Sequence, residues 1–184
     1  IAYISEDKEL HFNGFADPVT QKFDAFADLR ITKIGIRTKP ELISKFFPSK
    51  YGGVDIKDSD WFAMDPRSKE PNRLPNLASI QVSKGCTAKC SFCQRITKSQ
   101  RTLDLLDFEE YLVHIKKELG VGYIFIVDEN FGLIKEHSYE VARILKKQDI
   151  LWATIAIRCK NVNYDDLKFY KNNNCVGVKY GIES

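Results

Sequence analysis

Gly85-Cys86-Thr87-Ala88-Lys89-Cys90-Ser91-Phe92-Cys93 constrains this chain more than any other stretch. Three cysteines fall within eight residues, at the spacing C-x3-C-x2-C. Such short spacers let the backbone turn back on itself and wrap several thiolates around one inorganic centre. Iron–sulfur clusters are held by thiolates, usually four of them. Here the loop supplies three, and Cys159 and Cys175 lie far along the chain. A four-iron cubane held by three cysteines keeps one iron open. An open coordination position is the mark of a metal site that binds a substrate or cosubstrate, as it is for catalytic zinc. A structural zinc site needs a fourth ligand, from a second C-x2-C or a closely spaced His pair. His11, His114 and His137 are scattered and do not supply one. The competing reading is a non-catalytic metal module for zinc or electron transfer, completed by Cys159 or Cys175.

From Leu77 onward the chain alternates regularly. Leu77–Ser83 reads as a strand that runs directly into the cysteine loop. Asp107–Leu119 reads as a helix, with Phe108, Tyr111, Leu112, Ile115 and Leu119 at helical spacing, Asp107 as its cap and Gly120 as its stop. Tyr123–Val127 is a short apolar strand of the buried parallel kind. A helix over His137–Lys147, with Val141, Ile144 and Leu145 inward, is followed by a strand over Leu151–Ile157. Asn163 then caps a helix through Asn172, and Cys175–Ile182 is a fourth strand. Strand and helix in strict alternation imply parallel pairing with right-handed crossovers. Functional groups in such folds sit at the carboxyl ends of strands. Four groups fall there: the cysteine loop, Asp128-Glu129-Asn130, Arg158, and Gly181-Ile182-Glu183-Ser184. The amide and carboxylates after the second strand suit a bound ammonium, and the Arg158 guanidinium suits a carboxylate in bidentate fashion. Cys159, beside it, reads as a small packed residue. Lys84, Lys89 and Arg95 read as cations that offset thiolate charge.

Residues 1–76 are weakly patterned and form a leader to the regular region 77–184. Ile1–Ile4 and Leu10–Phe12 read as a β-hairpin with a long polar turn. Phe15–Leu29 reads as partly helical, Ile31–Lys39 as a strand, and Pro40–Phe47 as a short helix with proline in its first turn. Pro48–Gly53 breaks that helix. The three prolines between Asp65 and Pro75 mark a loop.

Cys86-x3-Cys90-x2-Cys93, with an aromatic (Phe92) before the last cysteine, resembles the signature of the radical S-adenosylmethionine (SAM) enzymes. The resemblance covers roughly Leu77 to Ser184. It implies an α/β fold, a partial (β/α)6 barrel with about four strand–helix units present. It also implies that Cys86, Cys90 and Cys93 hold a 4Fe-4S cluster whose fourth iron is chelated by SAM. In that family the reduced cluster cleaves SAM to methionine and a 5′-deoxyadenosyl radical. By the same resemblance Phe92 lies near the adenine. Asp128, Glu129 and Asn130 occupy the position that grips the SAM amino group, and Gly181 and Glu183 contact the ribose or methionine moiety; the Arg158 guanidinium, by its own chemistry, suits the SAM carboxylate. Asp-Glu-Asn-Phe departs from the Gly-Gly-Glu common at that position and is similar to the wording of the cobalamin-associated branch. The leader is similar to the linker that follows a cobalamin-binding domain in that branch. The branch implies methyl transfer or rearrangement with cobalamin in a full-length parent, and the alternative branch is a methylthiotransferase. The resemblance further implies a small-molecule or biosynthetic-intermediate substrate and an electron donor such as flavodoxin or ferredoxin.

The chain has 184 residues and begins at Ile1 rather than Met, which fits a piece of a longer protein. A barrel cut after its fourth strand leaves an unpaired parallel edge, so the piece alone is expected to aggregate. A net charge of +3 is too small to argue for nucleic acid or a membrane surface. No apolar run approaches the length of about 18 residues that a transmembrane helix needs. An odd count of five cysteines with a metal-like cluster fits a reducing, cytoplasmic setting better than a disulfide scaffold.

Overall fold

A computed structural model describes residues 2–4, 10–12, 41–94 and 98–181. Strands β1 (Ala2–Ile4) and β2 (Leu10–Phe12) pair antiparallel, with Ala2 opposite Phe12. The readings for Phe15–Leu29 and Ile31–Lys39, and those for Arg95 and for Ile182, Glu183 and Ser184, lie outside the described residues. Helix α1 (Glu41–Phe46) follows, and then β3 (Lys50–Tyr51) and β4 (Val54–Asp55) pair across a Gly52-Gly53 turn with both glycines at positive φ.

The body of the fold is a four-stranded parallel sheet. Its strands are β5 (Asn76–Ile80), β8 (Val121–Ile126), β9 (Leu151–Arg158) and β10 (Cys175–Gly181), adjacent in that order. Crossovers run through α2 (Leu105–Leu119), α3 (Lys135–Lys147) and α4 (Tyr164–Asn172). Each strand of this sheet neighbours the next one in chain order, with no reversal of strand order.

Period-two side-chain alternation divides the core between the two faces of the sheet. Ala78, Ile80, Ile124, Ile126 and Trp152 face the helices, and Ile157 joins them because β9 carries an extra residue between Thr154 and Ile157, with Ala156 at φ 59°. There they meet Phe108, Leu112, Ile115 and Leu119 of α2, Val141 and Leu145 of α3, and Tyr170 of α4. Tyr123, Leu151 and Ala153 point the other way, against Ile56 and Phe62 of the leader. There Trp61 meets the edge of Phe125 at 4.9 Å between ring centroids, and Phe62 meets Tyr123 at 4.7 Å. The Tyr123 hydroxyl donates to the Ser68 carbonyl at 2.8 Å, so the buried phenol is satisfied. Arg67 ties the Pro66–Lys69 turn to the start of β10 by donating to Asn174 Oδ1 at 2.7 Å.

Several boundaries shift by one or two residues from the sequence reading, among them β8 at Val121–Ile126 and α3 starting at Lys135, and two differences are larger. Helix α2 starts at Leu105, and its cap is Asp104, whose carboxylate accepts from Leu106 N at 2.9 Å and Asp107 N at 3.2 Å. Asp107 therefore lies inside the first turn. Its stop is Gly120, in the left-handed conformation at φ 63°. The first parallel strand ends at Ile80 rather than Ser83. Ser83–Gly85 forms β6, which pairs antiparallel with β7 (Gln100–Thr102). The strand breaks because the Asp128 carboxylate captures Val82 N. The cysteine loop is therefore the excursion between β6 and β7 rather than a direct extension of the sheet. Asn163 caps α4 as expected, in a reciprocal capping box with Asp166. No helix among the described residues is long and apolar enough to cross a membrane.

Candidate functional site

The cysteine loop is closed at its base by the β6–β7 hairpin. Gly85 makes that closure possible. It sits at φ 104°, and a Cβ there would lie 2.1 Å from the Ser99 carbonyl oxygen. Within the loop the Cys93 N–H donates to the Cys90 carbonyl at 3.1 Å. Cys86 Sγ accepts from Ala88 N at 3.4 Å and from Asn130 Nδ2 at 3.4 Å. Lys98 Nζ lies 3.9 Å from Cys93 Sγ.

The carboxyl end of β8 holds this loop from below. Asp128 is buried at 3% exposure. Its carboxylate accepts from Val82 N at 2.7 Å and from Ser83 Oγ at 2.6 Å. Burial pushes its carboxyl up to about 6, against the pull of those donors and with a further push from the Glu129 charge. Gln100 Nε2 donates to Ser83 Oγ at 2.9 Å and to the Asn130 carbonyl at 3.4 Å, which links β7 to the same strand end.

Three strand ends border one cleft of about 400 Å³. Its lining includes Lys89 and Cys90 from the loop, Asn130 and Leu133 after β8, and Arg158, Lys160 and Asn161 at the end of β9. Among the described residues that line it, Lys89, Arg158 and Lys160 are cationic and none is acidic. Such a lining favours an anionic group and offsets thiolate charge.

The residues singled out from sequence divide into those that share the cleft and those that do not. Cys90, Asn130 and Arg158 line it together, and Cys86 is joined to it through Asn130. Gly181 pairs in register with Arg158 across β9 and β10, at the same end of the sheet. Asp128 is turned away from it, its carboxylate occupied by the backbone and hydroxyl of the β5–β6 junction. Glu129 is exposed, and Phe92 is 65% exposed on the outside of the loop. Glu183 lies outside the described residues.

Cys159 corrects a sequence expectation. It is exposed rather than packed, because it opens the 3-10 turn Cys159–Asn161 just beyond β9. Cys175 lies at the amino end of β10, opposite the loop. It is buried in the helix-side core, where burial pushes its thiol up to about 12. Asn161 and Lys160 went unread in the sequence. Their signal was position alone, Lys160 two residues and Asn161 three residues past the arginine that ends β9.

Three sulfurs on one eight-residue loop, two N–H donors on Cys86 and an ammonium beside Cys93 form a donor set that fits an iron–sulfur cluster. Among the described residues no three Cys, His, Asp or Glu side chains converge on one point. Ligand loops of this kind draw together as the centre binds, because ligation and local folding are coupled.

Comparison with known proteins gives three findings. A family model described as the Radical SAM superfamily matches residues 80–184, more than half of the chain. The chain is 27% identical over 81 residues to cytidylyl-2-hydroxyethylphosphonate methyltransferase of Streptomyces wedmorensis, a match covering 42% of this chain and 15% of that protein. No solved structure matches.

Proposed function

Since the chain belongs to the radical SAM superfamily of enzymes, we propose that it binds a 4Fe-4S cluster through Cys86, Cys90 and Cys93 and starts radical chemistry by reductive cleavage of SAM. When bound, such a cluster supplies an iron free of protein ligands to chelate SAM and the electron that breaks its carbon–sulfur bond. The observation that carries the reading is the shared cleft, which Cys90 of the loop, Asn130 after β8 and Arg158 at the end of β9 line together.

The protein's own groups have distinct tasks. Arg158 offers a planar pair of donors to the SAM carboxylate. Lys89 and Lys160 make the lining cationic, which favours that carboxylate and lowers the cost of gathering thiolates. Asp128 stands behind the loop rather than at the ligand. The task of meeting the SAM ammonium therefore falls to acceptors other than its carboxylate.

Strands neighbouring in chain order, with no reversal in the sheet, support an arc of a (β/α)6 barrel. Cys175, buried at the far end of β10, is no candidate for a fourth protein ligand, so of the two distant cysteines the saturated-module reading is left with Cys159, exposed just past β9. Methyl transfer, with cobalamin as the methyl carrier, is the favoured reaction. Its support is the Asp-Glu-Asn-Phe wording after β8 and the likeness to a protein named as a methyltransferase. A small-molecule substrate, an electron donor such as flavodoxin or ferredoxin, and a cytoplasmic setting complete the proposal.

The test is anaerobic reconstitution with iron and sulfide, followed by EPR of the reduced protein with and without SAM. A reduced-cluster signal that changes on adding SAM is expected. Zinc in place of iron, or a cluster indifferent to SAM, would return the chain to the metal-module reading.

A further inference from the structure

The end of β9 reaches the cysteine loop through a pair of asparagines. Asn130 is 1% exposed, so the orientation of its amide is set by protein partners alone. Its Oδ1 accepts from Asn161 Nδ2 at 2.8 Å. With the oxygen engaged on that side, the amide nitrogen turns the other way, and it donates to Cys86 Sγ at 3.4 Å. The backbone beneath is held as well, since the Asn130 carbonyl accepts from Gln100 Nε2 at 3.4 Å. A flipped Asn130 would set its NH2 against the NH2 of Asn161. It would also set a carbonyl oxygen against a sulfur that carries negative charge when it ligates metal.

We propose that Asn161 is a positioning residue for the cluster: it orients the Asn130 amide so that a donor faces Cys86 sulfur, and so raises the reduction potential of the centre that Cys86 ligates. The proposal rests on the cluster reading above and adds a residue and a property to it. Hydrogen bonds to ligand sulfur stabilise the more negative, reduced state, and such partners behind the ligands are a main lever on cluster potential. Asn161 stands two links from the sulfur, and its influence passes through the Asn130 amide.

The experiment is a dye-mediated anaerobic redox titration, read by EPR, of the reconstituted chain and of Asn130→Ala, Asn161→Ala and the double variant, each with its iron content measured. Both single variants are expected to lower the midpoint potential at unchanged iron content. The double variant is expected to sit no lower than Asn130→Ala, because removing Asn161 has no effect once the amide it orients is gone. An unmoved midpoint in Asn161→Ala overturns the proposal, as does a further drop of the same size in the double variant. Should Asn130→Ala fail to hold iron, Asn161→Ala decides alone. Asn161 is half-exposed in a short turn, and its side-chain amide donates to Asn130 rather than to a cysteine. A chain that takes up no cluster, or one that ignores SAM, defeats the cluster reading and this proposal together. A SAM-responsive cluster whose midpoint Asn161→Ala leaves unmoved defeats this proposal only.

Discussion

Between about pH 4 and 6 the folded chain holds a proton on Asp128 that the unfolded chain has already lost. The carboxyl is raised from 3.8 to about 6, chiefly by burial. A raised carboxyl binds protons more tightly in the native state, so its contribution to stability is fully present below about pH 4 and is lost as the pH rises through 6. Two units correspond to about 3 kcal/mol as an upper figure. Asp128→Asn keeps the size and an acceptor for Val82 N but does not ionise. Urea unfolding at pH 4.5 and 7.5 is expected to show the parent losing stability relative to this variant as the pH rises. Parallel pH profiles would mean that the carboxyl is not desolvated in the way its burial indicates. The sequence placed Asp128, Glu129 and Asn130 at a strand end but did not rank them. The ranking came from contacts 44 to 46 residues away along the chain, which local pattern does not encode.

At the scale of elements, the β6–β7 hairpin decides whether the cysteines are presented at all. Its tightest point is Gly85, where any Cβ would collide with the Ser99 carbonyl and the positive φ is strained for other residues. Gly85→Ala is expected to cost on the order of 1–3 kcal/mol in strain and to lower iron uptake on reconstitution. Normal iron content with unchanged unfolding would show that the hairpin opens without consequence. The hairpin was invisible in the sequence because Ser83-Lys84-Gly85 and Gln100-Arg101-Thr102 are short and carry no alternating apolar pattern. The helices were legible, since α3 and α4 each repeat apolar residues at helical spacing, and the box of Asn163 and Asp166 is a local signal. The start of α2 was misread by one turn. Asp104 and Asp107 both precede apolar residues, and only the bonds from Leu106 N and Asp107 N select Asp104.

For the whole molecule, the leader is part of the core. Ile56 and Phe62 are fully buried against the sheet face that the helices do not cover, and Phe62 is 1% exposed. Phe62→Ala is expected to destabilise the chain by about 3–5 kcal/mol, through lost burial and the cavity left beside Tyr123. Denaturant titration checks this, and a loss below about 1 kcal/mol would mean that the leader lies on the sheet without supporting it. The leader's weak pattern follows from how it packs. Its described stretch, residues 48–76, sends single apolar residues such as Ile56 and Phe62 from turns into the sheet, so no period runs along that stretch.

Sequence alone determined the alternation of strand and helix, the parallel pairing it entails, and the chemistry available at the cysteine loop. Those follow from periodicity, caps and spacing, all of which act over a few residues. Tertiary structure decided what the polar residues at the strand ends do. Asp128 clamps the loop from behind, Asn130 reaches a cysteine, and Asn161 orients it, because each role depends on which distant backbone comes within hydrogen-bonding distance once the sheet has closed.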